Sequence, residues 1–119
     1  MTIIAAAILG IATPSRNITC FPLRRTLHCQ IAQAVYRPQL QKQCATRASL
    51  DWHGFEFASN RRAVPSCSGG ALAAPRYRTL AYGKTWRSGP FTCTSRVTGL
   101  TCTAGMHGLF ISRQSWRGW

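Results

Sequence analysis

Acidic side chains are almost missing from this chain. Among 119 residues, Asp51 and Glu56 are the only carboxylates, against 15 lysines and arginines. Catalysis by converging acid and base groups therefore has very little material. An oxygen-rich calcium cage, which recruits several carboxylates, is disfavoured for the same reason. Closely spaced cysteine knuckles of the zinc-binding kind are also absent, and three separated histidines do not replace them. No metal and no cofactor is expected. Long apolar runs are lacking too: the longest, residues 3–12, is half of what a membrane-spanning helix needs. At this length the chain has room for one domain with one modest core. A nucleotide-binding domain with a second substrate domain beside it does not fit.

What is present points to a folded chain, since 45% hydrophobic content argues against disorder despite a net charge of +13. Residues 3–12 suit the apolar centre of a signal peptide, and Gly10 and Ala12 place small residues for cleavage after Ala12. No lysine or arginine precedes the run. Either the true start lies upstream or the run is a buried first strand. The expected organisation is an apolar leader over residues 1–12 and a single six-cysteine β domain over residues 13–119, with no transmembrane span.

Cys20, Cys29, Cys44, Cys67, Cys93 and Cys102 read as a disulfide framework. Eight residues separate Cys20 from Cys29, and eight separate Cys93 from Cys102. The text around both pairs is alike: Ile18-Thr19-Cys20 returns through Leu27-His28-Cys29, and Phe91-Thr92-Cys93 through Leu100-Thr101-Cys102. Each reads as a two-strand hairpin stapled across its strands. Val97-Thr98-Gly99 supplies one turn, with Gly99 free to take positive φ. Arg24-Arg25 lies at the midpoint of the other. Cys44 is left for Cys67, giving the pairing Cys20–Cys29, Cys44–Cys67 and Cys93–Cys102.

Glycine, proline and β-branched residues punctuate the chain at short intervals, which predicts many short strands. Strands are expected over residues 16–22, 27–31, 54–58, 79–82, 85–87, 91–95, 100–103 and 108–112. Helical character is limited to residues 31–36 and 38–46, kept short by Pro38, and residues 66–75 read as a loop. The fold class is all-β, mostly antiparallel and disulfide-stapled.

Several segments together are familiar: Thr13-Pro14-Ser15-Arg16-Asn17-Ile18-Thr19-Cys20, Leu80-Ala81-Tyr82-Gly83, Phe91-Thr92-Cys93-Thr94-Ser95, Thr98-Gly99-Leu100-Thr101-Cys102-Thr103 and His107-Gly108-Leu109-Phe110-Ile111-Ser112-Arg113. The chain resembles a family of small exported bacterial proteins known only as a domain of unknown function. The resemblance runs from about Thr13 to Trp116. It implies secretion and an extracellular six-cysteine domain, and no activity, substrate or cofactor. This chain departs from the family pattern where Arg16 stands for a usual glycine. Gln30, Gly70 and Gln114 stand where the family often carries acids, so part of the positive charge reflects lost carboxylates.

Thirteen arginines against two lysines suit bidentate pairing with phosphate or carboxylate; codon bias in a GC-rich genome produces the same excess. Arg24, Arg25, Arg61 and Arg62 are expected at loop tips as contacts for a polyanion, nucleic acid or an anionic membrane, held in a salt-sensitive manner. Asp51, His53 and Glu56 form one acid–base cluster, in which strand parity puts Asp51 and His53 on one face and Glu56 on the other. Trp52, Phe55 and Phe57 beside them look like core. His107 with Ser112 or Ser115 is a second candidate pair, and no Gly-x-Ser-x-Gly elbow accompanies it. Trp119 is expected to be exposed. The function read from the sequence is an exported disulfide-rich binding module at the cell envelope or outside the cell. A cationic polyanion-binding protein and a small secreted hydrolase using His53 or His107 are the alternatives.

Overall fold

The computed structural model describes residues 9–47, 50–68 and 76–119. Among the described residues, eleven strands and one helix form: β1 Leu9–Ala12, β2 Ile18–Leu23, β3 Thr26–Ile31, α1 Arg37–Ala45, β4 Asp51–Ala58, β5 Val64–Ser68, β6 Arg76–Thr79, β7 Thr85–Ser88, β8 Phe91–Arg96, β9 Gly99–Ala104, β10 His107–Ile111 and β11 Trp116–Gly118. They build a six-stranded sheet in the order β5-β4-β3-β2-β1-β6 and a five-stranded sheet in the order β11-β10-β9-β8-β7. Every pairing is antiparallel except β1 with β6. All-β is therefore the right class.

Period-two burial makes these strands. Leu27, Cys29 and Ile31 of β3 face inward, as do Phe91, Cys93 and Ser95 of β8 and Leu100, Cys102 and Ala104 of β9. Tight turns join them. Gly89-Pro90 and Gly105-Met106 each put a positive-φ glycine first, as a type II′ hairpin turn requires. Arg24 and Arg25 link β2 to β3 with φ of 52° and 65°, the backbone of a type I′ turn built without glycine or asparagine.

The three disulfides are Cys20–Cys29, Cys44–Cys67 and Cys93–Cys102. The first and third each bridge directly opposed residues of one hairpin. Both hairpins turn their cysteines into the shared core, where Cys20, Cys29 and Cys102 bring their sulfurs within 4.8 Å of one another. Phe57 meets Phe91 edge-on across the sheets, and Phe55 meets Trp116 at 4.8 Å.

Some expectations need correcting. Residues 31–36 are not helical; the helix begins at Arg37, with Pro38 in the first turn where it costs no backbone hydrogen bond. Buried Leu40 and Cys44 lie one turn apart and turn the helix toward the sheet, where Cys44 bonds to Cys67 of β5. Residues 66–68, expected in a loop, belong to β5, and residues 69–75 lie outside the described residues. Beyond residue 79 the chain leaves β6 rather than entering a strand. β5 and β11 had no counterpart among the expected strands, and β1 answers to the alternative of a buried first strand within residues 3–12.

Leu9–Ala12 lies between β2 and β6, with Ile11 and Ala12 buried. Cleavage after Ala12 would remove this strand from the sheet interior. The rest of the apolar run lies outside the described residues.

Candidate functional site

The connections at one end of the two sheets enclose a cleft of about 540 Å³, within the range of organic-ligand sites. Its walls come from the β1–β2 loop, the β3–α1 link, the β8–β9 turn and the β10–β11 loop, with Tyr82 from the β6–β7 connection. Loops held by a rigid sheet frame suit binding, because they vary without disturbing the core.

Hydrogen bonds fix these loops to one another. In the β1–β2 loop, the Arg16 backbone N–H donates to the Thr13 carbonyl at 2.7 Å, and the Ile18 N–H donates to Thr13 Oγ1 at 3.2 Å. The Asn17 amide spans to the β3–α1 link: its Oδ1 accepts from the Gln33 N–H at 2.7 Å and its Nδ2 donates to the Gln33 carbonyl at 3.0 Å. The link is in turn tied to the second sheet. The Val35 N–H donates to the Arg113 carbonyl at 2.9 Å, and the buried Tyr36 hydroxyl donates to the Ser112 carbonyl at 2.8 Å. Burial raises the Tyr36 phenol well above its ordinary range, against the opposing field of Arg37, so this donor keeps its proton.

Three arginines line the cleft: Arg16 on the β1–β2 loop, Arg96 at the end of β8 and Arg113 on the β10–β11 loop. All three residues are exposed. Arg113 also donates to Gln33 Oε1. No carboxylate lines the cleft. Arg16 has a φ of 62°, a left-handed conformation that favours glycine. An arginine here accepts backbone strain.

The arginines picked out from the sequence lie elsewhere. Arg24 and Arg25 cap the β2–β3 hairpin at its far end, roughly 20 Å from the cleft along six strand residues. Arg61 and Arg62 follow β4 at that same end, since Thr26 pairs with Ala58 and the Arg61 N–H donates to the Ala58 carbonyl at 3.4 Å. All four are exposed, and Arg62 Nη2 also donates to the Gly118 carbonyl at 2.9 Å.

The acid–base candidates are arranged differently from expectation. Two residues of β4 oppose one of β5 between Trp52 and Phe55, a β-bulge. It is centred on Gly54, at φ 99°, where an added Cβ would stand 2.0 Å from the Cys29 carbonyl oxygen. The extra residue reverses strand parity. Trp52, Phe55 and Phe57 all face the core, and Asp51, His53 and Glu56 all lie on the outer face, so Glu56 does not point away from the other two. Asp51 accepts from Gln41 Nε2 at 3.0 Å. Glu56 stands opposite His28, whose pKa is lowered by burial and partly restored by the Glu56 charge.

His107 does not meet a serine. It begins β10 while Ser112 follows its end, roughly 16 Å away at the rise of an extended chain. His107 Nδ1 lies 3.1 Å from the Trp119 carbonyl oxygen, and Ser112 Oγ is hydrogen-bonded to the Ser115 backbone. Trp119 is half-buried rather than exposed. Its N–H and carbonyl pair with Gly108 at 3.0 Å each, and its ring occupies the space a Gly108 side chain would take. Among the described residues, the only group of potential metal ligands is Cys20, Cys29 and Cys102, all consumed in disulfides.

The model of a family of unknown function, DUF6636, matches residues 3–117. The chain belongs to this family. No curated protein and no solved structure matched. Four of the segments that carried the resemblance, those holding Arg16, Tyr82, Thr98 and Arg113, meet at the cleft. No local pattern joins them: Arg16 and Arg113 are 97 residues apart, and only the packing of one sheet on the other makes them neighbours.

Proposed function

We propose that this domain is an extracellular binding module that holds an anionic ligand in the loop-lined cleft. The observation that carries this reading is the meeting of three arginines from separate parts of the chain around a cleft that, among the described residues, no carboxylate lines. Arginine presents a planar fork matched to carboxylate, sulfate and phosphate. Export is supported by the three disulfides, since such bonds persist in oxidising compartments. A titration of the oxidised full chain with sodium sulfate, followed by amide chemical shifts, tests the site. Shifts concentrated in residues 13–17, 96–99 and 112–115 are expected. Shifts spread evenly over all exposed arginines would defeat the reading.

A second reading, attraction to polyanions, is favoured by the gathering of Arg24, Arg25, Arg61 and Arg62 at the opposite end. Binding to duplex DNA and to anionic vesicles should weaken steeply with salt. Replacing these four by glutamine should flatten that dependence.

A further inference from the structure

Building on the anionic-ligand reading, we infer that the occupant of the cleft is an acidic saccharide: a polyhydroxylated chain carrying carboxylate or sulfate groups. Three features set this class apart. The cleft is far larger than one inorganic oxyanion needs, at about 540 Å³, and its arginines come from separate parts of the chain, which suits a ligand with charges spaced along it. The lining also carries hydroxyl and amide groups, from Ser15, Thr98 and Gln114, the partners a sugar's hydroxyls require. Finally, Tyr82 stands at the border, 47% exposed. Its ring offers a face whose negative quadrupole attracts the weakly positive C–H hydrogens of a pyranose.

A single-stranded nucleic acid fits less well. Such ligands are held by successive aromatic platforms along a basic groove, whereas this cleft has one aromatic side chain. An apolar ligand would leave the guanidiniums unpaired.

The test uses the oxidised full chain and four probes of similar length: oligogalacturonate, a sulfated galactan oligosaccharide, a neutral maltooligosaccharide and oligothymidylate. Affinity is measured calorimetrically at one ionic strength, and the site is located by amide shifts. At least one acidic saccharide should bind at the cleft, and the tighter of the two names the acid group. The neutral chain should not bind measurably. Arg96→Gln should weaken binding by about tenfold or more, as loss of a charge-assisted hydrogen bond does. Tyr82→Ala should weaken it by about threefold to tenfold, Tyr82→Phe by less, and neither should alter the sulfate response. Tyr82 lies on an exposed connection, so unchanged thermal unfolding verifies that these variants fold. Equal or tighter binding of oligothymidylate, equal binding of the neutral chain, or an unchanged affinity in Tyr82→Ala overturns the saccharide. If sulfate still shifts the cleft amides in that case, the anionic site stands without it. If sulfate shifts nothing there, both fall.

Discussion

Cys29 and Cys102, one from each sheet, hold their sulfurs within 4.8 Å of each other in the fully packed core. Two hairpins of the same design thus meet disulfide to disulfide. The contact has a chemical consequence when one partner is lost, because a freed thiol stands beside an intact bridge.

Cys93→Ser frees Cys102 next to Cys20–Cys29. During oxidative refolding the Cys102 thiolate can attack Cys29, forming Cys29–Cys102 and expelling the Cys20 thiolate, as in ordinary thiol–disulfide exchange. Non-reducing peptide mapping should find Cys102 linked to Cys20 or Cys29 in part of the product. The double variant Cys93→Ala with Cys102→Ala should retain a clean Cys20–Cys29 link and lose roughly 2–3 kcal/mol of stability. Mapping that finds only Cys20–Cys29 in the single variant would argue against so close an approach.

Gly54→Ala should be among the most damaging single substitutions. The position has φ 99°, and the new methyl would meet the Cys29 carbonyl oxygen at 2.0 Å. Backbone, not a flexible side chain, must move. A loss of more than about 3 kcal/mol is expected in chemical denaturation, together with loss of the bulge that turns Phe55 inward and Glu56 outward.

The β2–β3 turn should respond in the opposite direction. Arg24 and Arg25 both adopt left-handed backbone, which costs each non-glycine residue about 1–2 kcal/mol. Arg24→Asn with Arg25→Gly supplies the residues that a type I′ turn favours. Thermal unfolding should shift upward, and polyanion affinity should fall with the lost charges. A variant with lower stability would contradict the turn assignment.

Acidification should weaken the fold through His28. Its imidazole is lowered from the ordinary value of 6.5 by burial, with Glu56 opposing that shift. The folded state therefore binds this proton less readily than the unfolded chain. His28 contributes stability that is present above 6.5 and declines as the pH falls through the window between 6.5 and its lower folded value. His28→Gln should flatten unfolding midpoints across this window, whereas Glu56→Gln should widen it. A His28 resonance titrating above 6.5 would reverse the sign.

Sequence spacing alone determined the disulfide pairing, the hairpins and the all-β class. Each of these depends on contacts between residues close in the chain, and equal intervals between cysteines carry that information directly. Composition alone set the shortage of acids. The tertiary structure decided the rest. One inserted residue at Gly54 reversed the parity of β4 and put Glu56 on the same face as His53, because a period of two has no memory once a single step is added. Trp119 looked like a frayed end, yet the space above Gly108 and the backbone pairing between them seat it. Above all, the cleft exists only because the loops of both sheets meet at one end. Arg16, Tyr82, Arg96 and Arg113 have no local signal that joins them; sheet packing, driven by the buried aromatics and cysteines between, makes them one surface.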